Sequence, residues 1–174
     1  MGFEVKGRSC IVVGAGRSGR AAAALLRARG AQVALADTAV AIDGADALVA
    51  SGVELLTGPH PVERFTAADL IVVSPGVPLT QAAVAAARAA GVPVIGEVEL
   101  ASRWLEGRII AVTGTKGKST TTTLTARMLG EGGIAATAGG NLGVALSSLV
   151  DAATPDSVKS ASKWTTSPAS YSRK

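Results

Sequence analysis

Short runs of apolar residues alternate with alanine-rich and polar stretches along most of the chain. The runs at residues 9–14, 32–37 and 53–57 are rich in aliphatic side chains. This pattern predicts buried strands of a parallel sheet. Residues 17–29 place leucines on one side and arginines on the other, and Gly30 follows. We therefore expect a helix that ends at this glycine.

The same alternation continues to about residue 97. Residues 69–74 and 92–96 are predicted strands, and the alanine-rich residues 80–90 between them are a predicted helix. Strands that alternate with helices are typical of an open parallel sheet covered on both faces. We expect residues 1–100 to form a doubly wound, Rossmann-like α/β domain.

A second α/β unit is predicted after a connecting helix at residues 97–106. Its predicted elements are a strand at 108–113, a helix at 118–131, a strand at 134–138 and a short helix at 143–151. These elements make up only part of a sheet and its covering helices. We expect residues 101–154 to be the beginning of this domain, incomplete as it stands.

The character of the sequence changes after residue 154. Residues 155–174 contain six serines, two threonines and half of the six lysines of the chain, with no leucine or isoleucine. No hydrophobic period is visible in this stretch. We expect a flexible or disordered tail at residues 155–174.

Composition excludes several classes of protein. Hydrophobic residues make up 48% of the 174 residues and charged residues 17%, which is typical of a folded domain rather than a disordered or collagen-like chain. No apolar run approaches the roughly 18 residues of a membrane span. The single cysteine, Cys10, lies in a predicted buried strand and cannot form an intramolecular disulfide. We expect a cytoplasmic protein with no membrane partner.

The net charge of +4 is unevenly distributed. Residues 155–174 carry +3 of it, and the rest of the chain is close to neutral. Nucleic-acid binders gather basic residues on one face and add aromatic residues for stacking. Aromatic residues are only 3% of this chain, so we expect no nucleic-acid partner.

The strongest chemical motif is GTKGKST, between a predicted strand and a predicted helix. Its geometry predicts a phosphate-binding loop, because glycines let backbone N–H groups surround phosphate oxygens at a helix N-terminus. The lysine would reach the β and γ phosphates, and the serine hydroxyl would bind magnesium. The alternative is a glycine-rich turn with a solvated lysine. The motif residues are Gly114, Thr115, Lys116, Gly117, Lys118, Ser119 and Thr120.

A second glycine-rich turn follows the first predicted strand. Gly14, Gly16 and Gly19 match the spacing G-x-G-x-x-G, and Asp37 closes the second predicted strand. This is the spacing of a dinucleotide-binding turn, and the acidic residue favours a ribose without a 2′-phosphate, as in NAD. The same turn can hold another nucleotide or simply reverse the chain tightly.

Three further positions follow predicted strands or lie in loops. Ser74 and Gly76 flank Pro75 at the carboxyl edge of the first sheet, where open α/β sheets bind ligands, although an ordinary turn would look the same. Asn141, in GGNLG, offers an amide that both donates and accepts. A bare turn is equally compatible there. His60, the only histidine, lies between two prolines and is expected to be a surface loop residue.

Together these motifs resemble the Mur ligase family, the ATP-dependent enzymes that add amino acids in peptidoglycan synthesis. GTKGKST after IIAVT is similar to that family's phosphate loop, which lacks the usual first glycine, as this chain does at Val112. Folylpolyglutamate synthetase shares the loop. VVGAGRSGRAAA, VVSPGVP at 72–78, GEVEL at 96–100 and GGNLG at 139–143 resemble the D-glutamate-adding branch, and the resemblance covers about residues 3–153.

The resemblance implies an activity and its partners. ATP and Mg²⁺ would activate the carboxylate of UDP-N-acetylmuramoyl-L-alanine as an acyl phosphate, which D-glutamate attacks. Residues 1–100 would bind the UDP substrate, and the complete enzyme would be a monomer. Lys118 would be catalytic, and Ser119 would bind the metal. The implied substrate-binding residues are Gly14, Gly16, Ser18, Gly19, Asp37, Thr38, Ser74, Gly76 and Asn141.

The sequence departs from the family pattern near Ser157. The family continues there with a strand that ends in a magnesium-binding glutamate, which this chain lacks. We expect a truncated or frame-shifted chain, inactive as a ligase. The alternatives are a nucleotide-binding module without catalysis, another ligase of the Mur or folylpolyglutamate synthetase type and, third, a dehydrogenase.

Overall fold

The structure, a computed structural model, describes residues 3–140 and 144–162. Eight strands alternate with helices along this part of the chain. The strands are β1 Ser9–Val13, β2 Gln32–Asp37, β3 Val53–Thr57, β4 Leu70–Val73, β5 Val94–Gly96, β6 Arg108–Val112, β7 Ala136–Gly140 and β8 Val158–Ser162. The helices are α1 Arg17–Ala28, α2 Ala45–Ala50, α3 Val62–Thr66, α4 Ala82–Ala89, α5 Glu97–Ser102 and α6 Lys118–Glu131, with a 3-10 helix at Leu146–Leu149.

The first five strands form one parallel sheet in the order β3-β2-β1-β4-β5. The order reverses between β1 and β4, which places the carboxyl ends of these two strands side by side. In open α/β sheets a crevice for ligands lies at this point. The predicted doubly wound, Rossmann-like fold is confirmed.

Apolar side chains cover both faces of the first sheet. Val12 and Leu35 are fully buried on one face, where α1 and α5 pack, and Ile71 is fully buried on the other, against Phe65 and α4. Each such side chain removed from water contributes roughly 1.5–3 kcal/mol to folding. The sheet is therefore a rigid base for the loops at its carboxyl edge.

The second sheet, within residues 3–140 and 144–162, has three parallel strands in the order β6-β8-β7. The middle strand, β8, pairs along its length with both neighbours, and Val158 is aligned with Arg108 on one side and Ala136 on the other. The expectation of a flexible tail from residue 155 is wrong for residues 158–162. Residues 163–174 of the predicted tail lie outside the described residues.

The polar composition of β8 explains why its sequence does not predict a strand. Lys159 is 5% exposed and Ser160 is fully buried, positions that aliphatic residues usually fill in a central parallel strand. The hydroxyl of Ser160 has no hydrogen-bond partner among the described residues. Backbone pairing with β6 and β7, rather than apolar side chains of its own, therefore accounts for the strand conformation of β8.

Packing joins the two predicted domains. Leu146, Val150 and Ala161 lie in the same buried cluster as Val12 and Leu35 of the first sheet. The division near residue 100 stays a prediction, because this cluster is continuous across it. No helix of the described part is long and apolar enough to cross a membrane.

Candidate functional site

The turn between β1 and α1 is built by close backbone contacts. Gly14 donates its N–H to the carbonyl of Ala36 at 2.7 Å, and its own carbonyl accepts the Ser74 hydroxyl at 2.9 Å. A Cβ built on Gly19 would lie 1.8 Å from the Gly14 oxygen and 2.7 Å from Ser74 Oγ. Only glycine fits at that position. The turn thereby joins β1, α1 and β4 at the point where the strand order reverses.

The carboxylate of Asp37 organises the edge of the same turn. One oxygen accepts the N–H of Ala15 at 2.6 Å, and the other accepts the N–H of Ala39 at 2.9 Å. These two hydrogen bonds, the Ala15 bond above all, hold the pKa of the Asp37 carboxyl below its usual range, and the charge of His60 adds to the effect. Asp37 is therefore ionised at neutral pH.

Two cavities lie at the carboxyl edge of the first sheet. The larger, which we call the Asp37 pocket, has a volume of about 460 Å³. The smaller, the Ser18 pocket, has a volume of about 230 Å³. The Asp37 pocket is lined by Val13, Gly14, Ala36, Asp37, Thr38, His60, Gly76, Val77, Pro78, Thr80 and Gln81, and the Ser18 pocket by Gly16, Arg17, Ser18, Ser74, Pro75, Gly140 and Ala145.

The two pockets hold most of the predicted substrate residues. Thr38 and Gly76 line the Asp37 pocket, while Gly16 and Ser18, at the start of α1, line the Ser18 pocket. The Ser18 pocket also receives Gly140 from the end of β7, so it lies between the two sheets. Asn141, the next residue, lies outside the described residues.

The predicted phosphate loop lies between β6 and α6. Gly117 precedes the helix with a φ of +75°, a conformation that glycine adopts without strain. Lys118, in the first turn of α6, donates from Nζ to the carbonyl of Gly114 at 2.5 Å. This hydrogen bond holds the ammonium group over the loop. Ser119 and Thr120 are exposed beside it, as are Thr115 and Lys116.

His60 and Gln81 are polar residues of the Asp37 pocket that no motif in the sequence predicted. His60 is no simple surface residue: it lines the pocket and its ring stacks on Phe65, with centroids 5.3 Å apart and planes 17° apart. Gln81 lines the pocket from the position before α4. Neither residue belongs to a motif. Only the fold brings the loops before α3 and α4 to one cavity.

A buried carboxylate lies between α5 and the 3-10 helix. Glu97, at the start of α5, is 1% exposed, and its Oε1 accepts the N–H of Ser147 in the 3-10 helix at 2.6 Å. Burial raises the pKa of Glu97, although the hydrogen bond from the backbone N–H of Ser147 partly opposes this rise. Among the described residues its second oxygen has no hydrogen-bond partner. This residue links α5 to the 3-10 helix.

The buried cysteine is part of the core, as its place in β1 predicts. Cys10 is 1% exposed, and burial, aided by the nearby Asp69 charge, raises the pKa of its thiol to about 11. The thiolate is the reactive form of cysteine, so this thiol is unreactive at neutral pH. Within the described part of the chain, no three His, Cys, Asp or Glu residues are grouped closely enough to hold a metal ion.

Known proteins are similar to this chain in sequence and in fold. A family model described as the N-terminal domain of MurD-like Mur ligases matches residues 8–96, half of the chain. A UDP-N-acetylmuramoylalanine–D-glutamate ligase from Desulfatibacillum aliphaticivorans is 49% identical over 145 residues, 81% of this chain and 32% of the relative. The ligase of the same name from Acidobacterium capsulatum is 45% identical over 152 residues, 86% of this chain and 33% of the relative.

A solved structure has the same fold. The murein peptide ligase from Psychrobacter arcticus matches 76% of this chain and 28% of its own, with 26% identity and a TM-score of 0.53. The chain spans about a third of the length of the curated relatives. It belongs to the Mur ligase family, whose members with solved structures share its α/β architecture. Within that family, its first domain is of the MurD-like type.

Proposed function

We propose that this chain carries the nucleotide-binding part of an ATP-dependent ligase that joins D-glutamate to UDP-N-acetylmuramoyl-L-alanine. Its relatives bear the name of a D-glutamate ligase of this kind. The observation that carries the proposal is the presence, in one chain, of a nucleotide-sized pocket on the first sheet and a separate phosphate loop on the second. A dehydrogenase needs only the first of these features.

The first sheet supports binding of the UDP part of the substrate. The Asp37 pocket, about 460 Å³, is large enough for a base and ribose, and the Ser18 pocket adjoins the N-terminus of α1. The N–H groups and dipole of that 12-residue helix favour a diphosphate there. Because the Ser18 pocket reaches Gly140 of the second sheet, the sugar end of the substrate would approach the phosphate loop.

The loop at residues 114–120 fits Mg²⁺ and ATP. Its backbone turns at Gly117 into the 14-residue helix α6, whose first N–H groups point at the loop. Lys118 already lies over the loop through its hydrogen bond with Gly114, and the exposed hydroxyl of Ser119 follows it. When bound, ATP would supply the phosphoryl group that activates the substrate carboxylate, and Mg²⁺ would neutralise charge on the phosphates.

The residues of the chain would then act by position and charge. Lys118 would place its ammonium group against the transferring phosphoryl group, where negative charge is concentrated as the carboxylate oxygen attacks the γ-phosphorus and ADP leaves. The D-glutamate amine would next displace phosphate and lose a proton, forming the amide. In this scheme Ser119 holds the metal, and Lys118 is the catalytic residue of this part of the enzyme.

Titration calorimetry of the full chain with UDP and with NAD tests the first-domain assignment. We expect saturable binding of UDP that is roughly tenfold or more tighter than binding of NAD, a difference of about 1.4 kcal/mol or more. The reason is the phosphate loop at residues 114–120. The proposed ATP-dependent ligase, whose substrate carries UDP, needs this loop, whereas a NAD-dependent dehydrogenase does not. Tighter binding of NAD would contradict the proposed function and support a dehydrogenase.

Lys118→Ala should weaken binding of Mg²⁺ and ATP to the same chain. A hydrogen bond that involves a charged group contributes about 1.5–3 kcal/mol, so we expect roughly tenfold or greater loss of affinity in a fluorescence titration with labelled ATP. Arg127→Ala removes an exposed positive charge nine residues further along α6, about 13 Å along its axis, and should change the affinity little. Equal effects of the two substitutions would rule out a specific role for Lys118.

For the 174 residues themselves we propose nucleotide binding without formation of the dipeptide product. The chain spans about a third of its relatives, so groups that position D-glutamate are expected in the remaining length. Orientation of reactants supplies about 7–11 kcal/mol in favourable cases. Purified chain given ATP, magnesium and both substrates should release no phosphate above background. Product formation would contradict this proposal and leave the UDP assignment intact.

A further inference from the structure

Three polar atoms around the Asp37 pocket have no hydrogen-bond partner among the described residues. They are both ring nitrogens of His60 and the side-chain oxygen of Gln81, and all three are screened from solvent. Both residues line the same pocket. A buried polar atom without a partner is rare in folded proteins, because its lost hydration is not replaced. Two such residues around one cavity indicate a ligand that supplies the missing hydrogen bonds.

Two neighbouring polar side chains at this edge, Asp37 and Ser74, are already engaged in hydrogen bonds. Both oxygens of Asp37 accept backbone N–H groups, and the Ser74 hydroxyl donates to the carbonyl of Gly14. These residues fix the turn and the charge at the pocket wall. Among the residues that line the pocket, His60 and Gln81 carry buried side-chain atoms without a hydrogen-bond partner in the described part of the chain.

The ring of His60 is held in place without using its nitrogens. It stacks on Phe65, which is fully buried, with a centroid distance of 5.3 Å and an angle of 17° between the planes. Stacking holds the ring against the wall, and a rotation of about 180° about the Cβ–Cγ bond exchanges nitrogen and carbon positions of the ring while the stack is kept. A neutral imidazole then offers one donor and one acceptor.

Gln81 is placed by the start of a helix. It precedes α4, and its backbone N–H donates to the carbonyl of Pro78 at 3.1 Å, which fixes the main chain. Its carboxamide offers a donor and an acceptor side by side. That pair matches the edge of a pyrimidine base, where a ring N–H adjoins a carbonyl oxygen.

We propose that His60 and Gln81 recognise the base of a uridine nucleotide in the Asp37 pocket and determine its specificity. The inference rests on the proposed function, which places a uridine nucleotide at this edge of the sheet. In this arrangement the Gln81 carboxamide pairs with the imide N–H and its neighbouring carbonyl, and a His60 nitrogen bonds to a second polar group of the nucleoside.

The test compares two ligands on three proteins. Full-length wild-type chain, His60→Phe and Gln81→Met are titrated calorimetrically with UMP and with ribose 5-phosphate, which lacks the base. Phenylalanine keeps the ring stacked on Phe65, and methionine keeps the length of glutamine. We expect each substitution to weaken UMP binding at least tenfold and to change ribose 5-phosphate binding less than twofold.

Thermal unfolding separates this role from a structural one. Because each substitution removes buried polar atoms without partners, the variants should unfold at the same temperature as the wild type or higher. A variant that fails to fold would contradict this expectation for that residue, and the other variant still tests the pocket. Unchanged UMP affinity, or equal loss for both ligands, in the folded variants would overturn the inference.

Failure of the inference and failure of the proposed function give different results. If the wild type prefers UDP to NAD and UMP to ribose 5-phosphate while both folded variants retain that preference, only the roles of His60 and Gln81 are wrong. If the wild type binds no uridine nucleotide, the proposed function and the inference are both wrong.

Discussion

Gly19→Ala is expected to unfold the first domain or to destabilise it by about 3 kcal/mol or more. The added methyl group would lie 1.8 Å from the Gly14 carbonyl oxygen and 2.7 Å from Ser74 Oγ. Both atoms belong to the turn that joins β1, α1 and β4, so neither can move without breaking the bond between them. Urea denaturation followed by circular dichroism measures the loss, and UDP binding should fall with it.

Gly16→Ala is the matched control for this substitution. Gly16 belongs to the same turn and precedes α1 with a φ of −66°, and nothing lies within 4 Å of a Cβ built on it. The unfolding free energy of Gly16→Ala should therefore stay within about 0.5 kcal/mol of that of the wild type. Similar losses for the two variants would mean that the turn does not pack as described.

Glu97→Ala is expected to destabilise the chain by about 2–3 kcal/mol. The substitution leaves the buried N–H of Ser147 without its acceptor, 2.6 Å away in the wild type, and an unpaired buried donor costs about 1–3 kcal/mol. It also opens a cavity between α5 and the 3-10 helix. Glu97→Gln keeps the acceptor oxygen and removes the charge, so we expect it to be at least as stable as the wild type at neutral pH.

The same carboxylate gives the stability a defined pH dependence. Burial raises the pKa of Glu97 from 4.5, so the folded chain retains a proton that the unfolded chain has already released. Its contribution to stability is complete below about pH 4.5 and is lost as the pH rises through the folded pKa. The unfolding free energy of the wild type, measured relative to that of Glu97→Gln, should therefore decrease as the pH rises from about 4.5 through the folded pKa. A pH-independent difference would show that Glu97 is not desolvated.

The contribution of Asp37 to stability changes with pH in the opposite direction and over a different pH range. The hydrogen bonds from Ala15 and Ala39 lower the pKa of its carboxyl from 3.8, so it stabilises the fold above that pH and loses this effect as the pH falls through the lowered pKa. Because both proteins in the Glu97→Gln comparison contain Asp37, its contribution cancels. The pH dependence of the difference then reports Glu97 alone.

The sequence predicts those strands and helices whose own residues form an aliphatic run or follow a glycine-rich turn. β2 at Gln32–Asp37, β3 at Val53–Thr57 and α6 at Lys118–Glu131 have the predicted bounds, and β1 and β4 differ only at their ends. These segments are aliphatic strands, or lie directly beside glycine-rich turns with fixed geometry. The short helices α2 and α3 were not predicted, because each is six residues or fewer and makes too little periodic pattern.

Features that depend on distant partners could not be predicted. β8 contains Lys159 and Ser160 where apolar residues are usual, and its strand conformation comes from pairing with β6 and β7. His60 lies between prolines in a loop, and no spacing in the sequence relates it to Gln81. The predicted phosphate-loop and substrate residues rest on motifs and stay predictions, with Asn141 outside the described residues.

The strand order also determines when each sheet can form during ribosomal synthesis. In the first sheet every new strand finds a neighbour already made, since β2 pairs with β1, β3 with β2, β4 with β1 and β5 with β4. In the second sheet, as far as the described residues show, β6 and β7 pair only with β8, and 45 residues separate Val112 from Val158. At about 5–20 residues per second, β6 waits roughly 2–9 s for its partner. During that interval its backbone hydrogen-bonding edge is open to chaperones and proteases, while the first sheet is already closed.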